Sequence, residues 1–120
     1  MKGKEGSSFS KEERLLRPED FKRVRKSGKR LSTRSFNLYF LPNGLGMRRL
    51  GIAVSAKTGG AVKRNRIKRL LREFFRQNKP LFPDSTDIFI SVKTLEHAAG
   101  LRCVEGELKK ALGPPGPASG

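Results

Sequence analysis

Seven cationic side chains and one asparagine crowd residues 63–76: Lys63, Arg64, Asn65, Arg66, Lys68, Arg69, Arg72 and Arg76, against a single acid, Glu73. Guanidinium forks and a side-chain amide bond well to phosphate oxygens and base edges, and ammonium groups add mobile point charge. Ile67, Leu70, Leu71, Phe74 and Phe75 recur at i, i+3, i+4, i+7 and i+8, which predicts a helix with one apolar stripe. Cations three and four apart then repel one another across the wet side. An external polyanion would remove that penalty, so the pattern points to nucleic acid.

Other residue types offer little chemistry. His97 is the only histidine, stands beside Glu96, and has no cysteine or second histidine nearby to share a metal. No serine lies in a nucleophile-elbow pattern. Asp84 and Asp87 flank a strand start and suit turn and edge roles better than a metal pair. Gly59-Gly60 before the basic helix could bind one phosphate at the helix N-terminus, but the full glycine–lysine pattern of a nucleotide-binding loop is missing and the signal is weak. Cys103 is alone, so no internal disulfide forms, and a reduced thiol fits a cytoplasmic protein. No catalytic residue and no metal ligand is assigned to the protein, which reads as a binding protein.

The charge is uneven. Formal net charge is +16, from 27 basic and 11 acidic side chains in 120 residues, a length that holds one domain. Residues 1–76 carry 22 of the basic and 6 of the acidic groups, whereas residues 77–120 carry five of each. The excess therefore marks one basic surface and not a uniform coat. No run approaches the roughly 18 apolar residues of a membrane span, no lipidation motif occurs, and residues 1–8 lack the apolar core of a signal peptide. A cytoplasmic protein without a membrane partner is the expectation.

Residues 1–12 read as a disordered N-terminus and 113–120 as a flexible Pro/Gly tail, framing a domain over 13–112. Pro18, Glu19 and Asp20 suit the start of a first helix that ends before Gly28. A strand over 33–41 places Phe36, Leu38 and Phe40 on one face and Ser35, Asn37 and Tyr39 on the other. A second strand, 47–56, alternates Leu50, Ile52 and Val54 with the small Gly51, Ala53 and Ser55. The basic helix covers 61–78, a third strand 87–93 and a last helix 97–112. The fold class is α+β: a small, mostly antiparallel sheet with helices on one face and the other face open. Phe21, Tyr39 and Phe89 would then be aromatics beside cationic groups, which suits single-stranded RNA.

Ala61 to Glu73, with Arg64-Asn65-Arg66 at its centre, resembles the signature segment of the protein subunit of bacterial ribonuclease P. The resemblance extends to Leu50–Ser55, to Arg17–Gly28 with Asp20-Phe21-Lys22, to Arg34–Phe40 and to Asp87–Ile90, covering about residues 14–112. It implies the order αβββαβα with a left-handed crossover, a fold shared with a ribosomal protein domain, and hence one strand more than the pattern itself yields, within 29–56. It also implies a function. A catalytic RNA using Mg2+ removes the 5′ leader of precursor tRNA, and the protein, a monomer apart from that RNA, docks on it and holds the leader. Lys63, Arg64, Asn65, Arg66, Lys68, Arg69 and Arg72 would contact the catalytic RNA. Phe21, Arg25, Tyr39 and Lys57 would contact the leader, in a cleft between the first helix and the open sheet face. Two positions depart from the family pattern: Arg25 replaces a second aromatic one turn after Phe21, and Ala56-Lys57 with Gly59-Gly60 replaces Lys-Lys and Gly-Asn.

A structural ribosomal RNA-binding protein of similar fold is the alternative, separable by which RNA co-purifies. A general single-strand binder would show no preference for a tRNA precursor. A protein-only nuclease would cleave without added RNA, and lacks the acidic cluster or histidine pair that such chemistry needs.

Overall fold

Pro18 opens the first helix, α1 (Pro18–Ser27), with Glu19 and Asp20 in its first turn and Arg25 and Lys26 in its last. That charge order favours both ends of the helix dipole. Gly28 ends it because the chain passes too close for a side chain: a Cβ there would meet the carbonyl oxygens of Val24 at 2.6 Å and Phe40 at 2.7 Å. The computed structural model describes residues 18–96 and 100–113. Most of the 113–120 tail, the 1–12 segment and His97 lie outside the described residues.

The chain continues through β1 (Lys29–Ser32), β2 (Phe36–Pro42), β3 (Arg49–Val54), α2 (Ala61–Gln77), β4 (Thr86–Val92) and α3 (Leu101–Leu112). This is the order αβββαβα, and β1 is the strand that the periodicity alone did not reveal. The sheet runs β1-β2-β4-β3. β1 with β2 and β2 with β4 are antiparallel, while β3 and β4, joined through α2, are parallel. Thr33–Ser35 belong to the turn between β1 and β2, so the strand expected over 33–41 starts three residues later.

Strand alternation sorts the side chains between two cores. Phe36 and Leu38 of β2, Leu50 of β3, and Ile88, Ile90 and Val92 of β4 pack against Ile67, Leu71, Phe74 and Phe75 of α2 and Val104 and Leu108 of α3. Phe82, just before β4, closes this core with its ring 5.2 Å from Phe75 and 6.0 Å from Phe74. Truncating Phe74 to Ala would cost about 3–5 kcal/mol by transfer and cavity terms together.

The opposite face carries a smaller cluster of Val24, Tyr39 and Phe89, with Phe21, Leu41 and Ala53 against it. The expectation of helices on one face is thus corrected: α2 and α3 lie on one side and α1 on the other. The physical reason is that Tyr39 and Phe89 give the second face two rings to bury, and the Phe21–Val24 strip of α1 covers them.

Candidate nucleic-acid interface

α2 owes its position to the buried stripe Ile67, Leu71, Phe74 and Phe75, and this fixes what faces outward. Lys63, Asn65, Arg66, Arg69 and Arg72 are exposed, and Arg64 and Lys68 are half-buried. Glu73, the one acid of the helix, is paired within it to Arg76 and to Gln77. The Arg76 hydrogen bond holds the Glu73 carboxyl below its ordinary range, against the opposing effect of burial. The seven residues expected to face an RNA therefore form a cationic surface whose only acid is internally satisfied.

Arg64 differs from the rest. Its Nε donates to the Gly59 carbonyl at 3.0 Å, tying the basic helix back to the connection before it. Sequence pattern marked Arg64 for RNA alone, and nothing local signalled this second duty.

Lys57, expected at the leader, lines a cleft of about 530 Å³ together with Lys63, Arg66, Ile67 and Leu70. The far wall is the segment after β4, with Lys93, Thr94 and Leu95. None of these three was expected in a site, because their position depends on the parallel pairing of β3 and β4. Lys93 Nζ donates to Ser32 Oγ at 3.0 Å, so its charge lies over the sheet.

On the α1 face, Phe21 stacks on Phe89 with ring centroids 4.9 Å apart, and Tyr39 lies 5.9 Å from Phe89. Phe21 is half-buried, Arg25 is exposed, and Tyr39 keeps only 9 % of its surface. The structure brings Phe21, Tyr39 and Phe89 together, although Tyr39 is more enclosed than its alternation with the core face suggested. Beside them, Ser32, Asn37, Ser91 and Ala53 are neighbours across the four strands, a strip of small and polar residues.

One buried carboxylate fixes this face. Asp87, which sequence reasoning gave a turn or edge role, is buried and accepts from Arg49, Arg23 and Asn43. Burial alone would raise its carboxyl, but these hydrogen bonds outweigh that and leave it below its ordinary range. Asp84 stays at the surface and pairs with Arg48 at 3.4 Å. Among the described residues no group of three or more His, Cys, Asp or Glu side chains is placed to hold a metal ion. Nor is any described helix long and apolar enough to cross a membrane.

A small α+β domain with an exposed cationic helix, beside a polar sheet strip walled by aromatics, defines a basic RNA-binding protein. The profile of the family described as Ribonuclease P matches residues 9–114, and the chain belongs to that family, the bacterial ribonuclease P protein components. It is 43% identical over 107 residues to the ribonuclease P protein component of Citrifermentans bemidjiense, covering 89% of this chain and 91% of that one. It is 45% identical over 86 residues to the one from Syntrophus aciditrophicus, 72% of each chain. The solved RNase P protein from Thermotoga maritima matches with a TM-score of 0.74 at 36% identity, covering 83% of this chain and 94% of that chain. The one from Staphylococcus aureus gives 0.75 at 33%, over 83% and 92%. The ribosomal-protein alternative is not favoured. Family membership carries RNA binding, tRNA processing and a place in an endoribonuclease.

Proposed function

We propose that this protein docks through α2 on the RNA of a bacterial ribonuclease P and steadies the 5′ leader of precursor tRNA against the α1 face. The observation that carries this reading is the division of α2 into a stripe of Ile67, Leu71, Phe74 and Phe75 buried in the core and a largely exposed cationic surface whose acid, Glu73, is paired within the helix. Hydrolysis belongs to the RNA, which supplies the Mg2+-dependent chemistry. The protein's residues bind and orient. Two polyanions must approach closely, and a +16 protein between them lowers their repulsion and with it the magnesium they require. The leader would lie along Ser32, Asn37 and Ser91, with Phe21 and Arg25 at its edge and Lys57 near the turn into α2. The chain works in the cytoplasm, where such precursors are made.

The test is cleavage of a 5′-labelled precursor tRNA by the ribonuclease P RNA at low magnesium, with and without the protein. Inert protein that restores 5′ cleavage by the RNA supports the reading. Unchanged RNA activity refutes it.

A further inference from the structure

The cleft beside α2 combines two linings that simple tracking of a phosphate backbone does not require. Lys57, Lys63, Arg66 and Lys93 supply positive charge against one acid, Glu96, at the far wall, and Ile67, Leu70 and Leu95 supply an apolar floor. Leu95 can approach because residue 59 is Gly: a Cβ there would meet Leu95 Cδ1 at 3.2 Å. α2 begins after Gly60 with no side-chain cap and no acid in its first turn, and a Cβ on Gly60 would meet nothing within 4 Å. The positive end of the helix therefore adjoins open space next to these cations.

We propose that this cleft seats one unstacked nucleotide of an RNA strand, its phosphate on Lys57, Lys63 and Arg66 and its base on Leu70 and Leu95. This deepens the RNA-docking reading and rests on it. The volume of about 530 Å³ suits a single nucleotide, since small-ligand sites span roughly 300–1,000 Å³. Unstacked bases of single-stranded RNA are the parts that proteins seat in pockets. Charge alone would bind the backbone anywhere along α2, whereas an apolar floor under three cations selects a base with its phosphate. Thr94, at the wall, is the residue through which the cleft can be plugged.

The experiment follows the amide spectrum of the full-length protein titrated with inorganic phosphate, uridine 5′-monophosphate and a single-stranded RNA trinucleotide. The trinucleotide is expected to shift the amides of residues 57–58, 63–70 and 94–96 together, and to bind about fivefold or more tighter than phosphate. Thr94→Phe should abolish that advantage, while Lys110→Ala, on α3, should keep it. Thr58→Phe narrows the same cleft from its other wall and serves if residue 94 tolerates no ring. Equal affinity for phosphate and trinucleotide overturns the proposal, as does full-strength trinucleotide binding in a correctly folded plugged variant. Tight binding of the mononucleotide with the trinucleotide excluded also overturns it, and marks a free-nucleotide site. Failure of the parent reading looks different: the unmodified protein then does not bind ribonuclease P RNA at all.

Discussion

Arg49 and Asp87 face each other in the parallel β3–β4 register and close a two-pronged ion pair, Nε to Oδ1 at 2.8 Å and Nη2 to Oδ2 at 2.9 Å. Arg23 of α1 adds a bond to Oδ2 at 3.1 Å, and Asn43 of the β2–β3 connection adds one to Oδ1 at 2.8 Å. One carboxylate, 1 % exposed, thus binds helix, loop and two strands. It also sets where α1 stands over the sheet, and so the shape of the strip on which a leader would lie.

Asp87→Ala should therefore destabilise the fold by about 1.5–3 kcal/mol, the range for hydrogen bonds to a charged group, since Arg49 is partly exposed and Arg23 is half exposed and keeps its pairing with Asp20. Urea unfolding measures it. The pH dependence has a definite sign. The folded Asp87 carboxyl is depressed, so its contribution is complete above the ordinary value of 3.8 and drains away as pH falls from there through the folded value. Stability of the unmodified protein should drop over that acid window, and the Asp87→Asn variant should show a flatter profile there.

Glu107 of α3 plays a comparable part for the β1–β2 turn, accepting from Thr33 Oγ1, from the Ser35 amide at 2.6 Å and from Ser35 Oγ at 2.9 Å. Burial would raise this carboxyl, and the hydrogen bonds of Thr33 and Ser35 outweigh it and hold it below its usual range. Glu107→Ala should cost about 1.5–3 kcal/mol, the range for hydrogen bonds to a charged group. Hydrogen exchange at the Ser35 amide should speed up by more than the change in global stability explains.

That turn also shows why β1 was illegible in the sequence. Lys29–Ser32 offers one apolar residue, Leu31, and the following Thr33-Arg34-Ser35 contains neither Gly nor Pro. Its turn is held by an acid 72 residues away, and no local pattern can announce a tertiary support. α1, α2, β2 and β4 were legible because each carries its own periodicity and end signals. The side of the sheet that α1 covers was not, because it follows from Tyr39 and Phe89 becoming neighbours across β2 and β4. The site divided the same way. The cationic surface of α2 could be read from its spacing. The Arg64 tether and the Thr94–Leu95 wall required the fold.

Arg64 and Arg69 should separate structure from docking. Arg69 is exposed on the outer side of α2, so Arg69→Ala should weaken RNA binding by about 1–3 kcal/mol and leave urea stability within about 0.5 kcal/mol of the parent. Arg64→Ala should weaken RNA binding and also cost about 0.5–1.5 kcal/mol of stability through its bond to the Gly59 carbonyl. Equal stability of the two variants would show that the tether contributes nothing.

Phe21 is the cleaner probe of the α1 face, because Tyr39 is too enclosed for truncation to report on RNA alone. Half-buried and stacked on Phe89, Phe21 should cost about 1–2 kcal/mol of stability on change to Ala, short of unfolding the domain. If it borders the leader, Phe21→Ala should weaken binding of precursor tRNA by a further 1 kcal/mol or so, the lower end for one base–aromatic contact, and leave mature tRNA unaffected. The salt dependence then divides the two surfaces. Neutralisation of about 6 to 8 phosphates, chiefly along α2, gives a log–log slope of about −4 to −7, which Phe21→Ala should not change. Loss of one phosphate-contacting arginine should instead reduce the slope by about one. A Phe21→Ala slope that falls with the affinity would mean that α1 moved and took charged contacts with it, and would remove Phe21 from the leader surface.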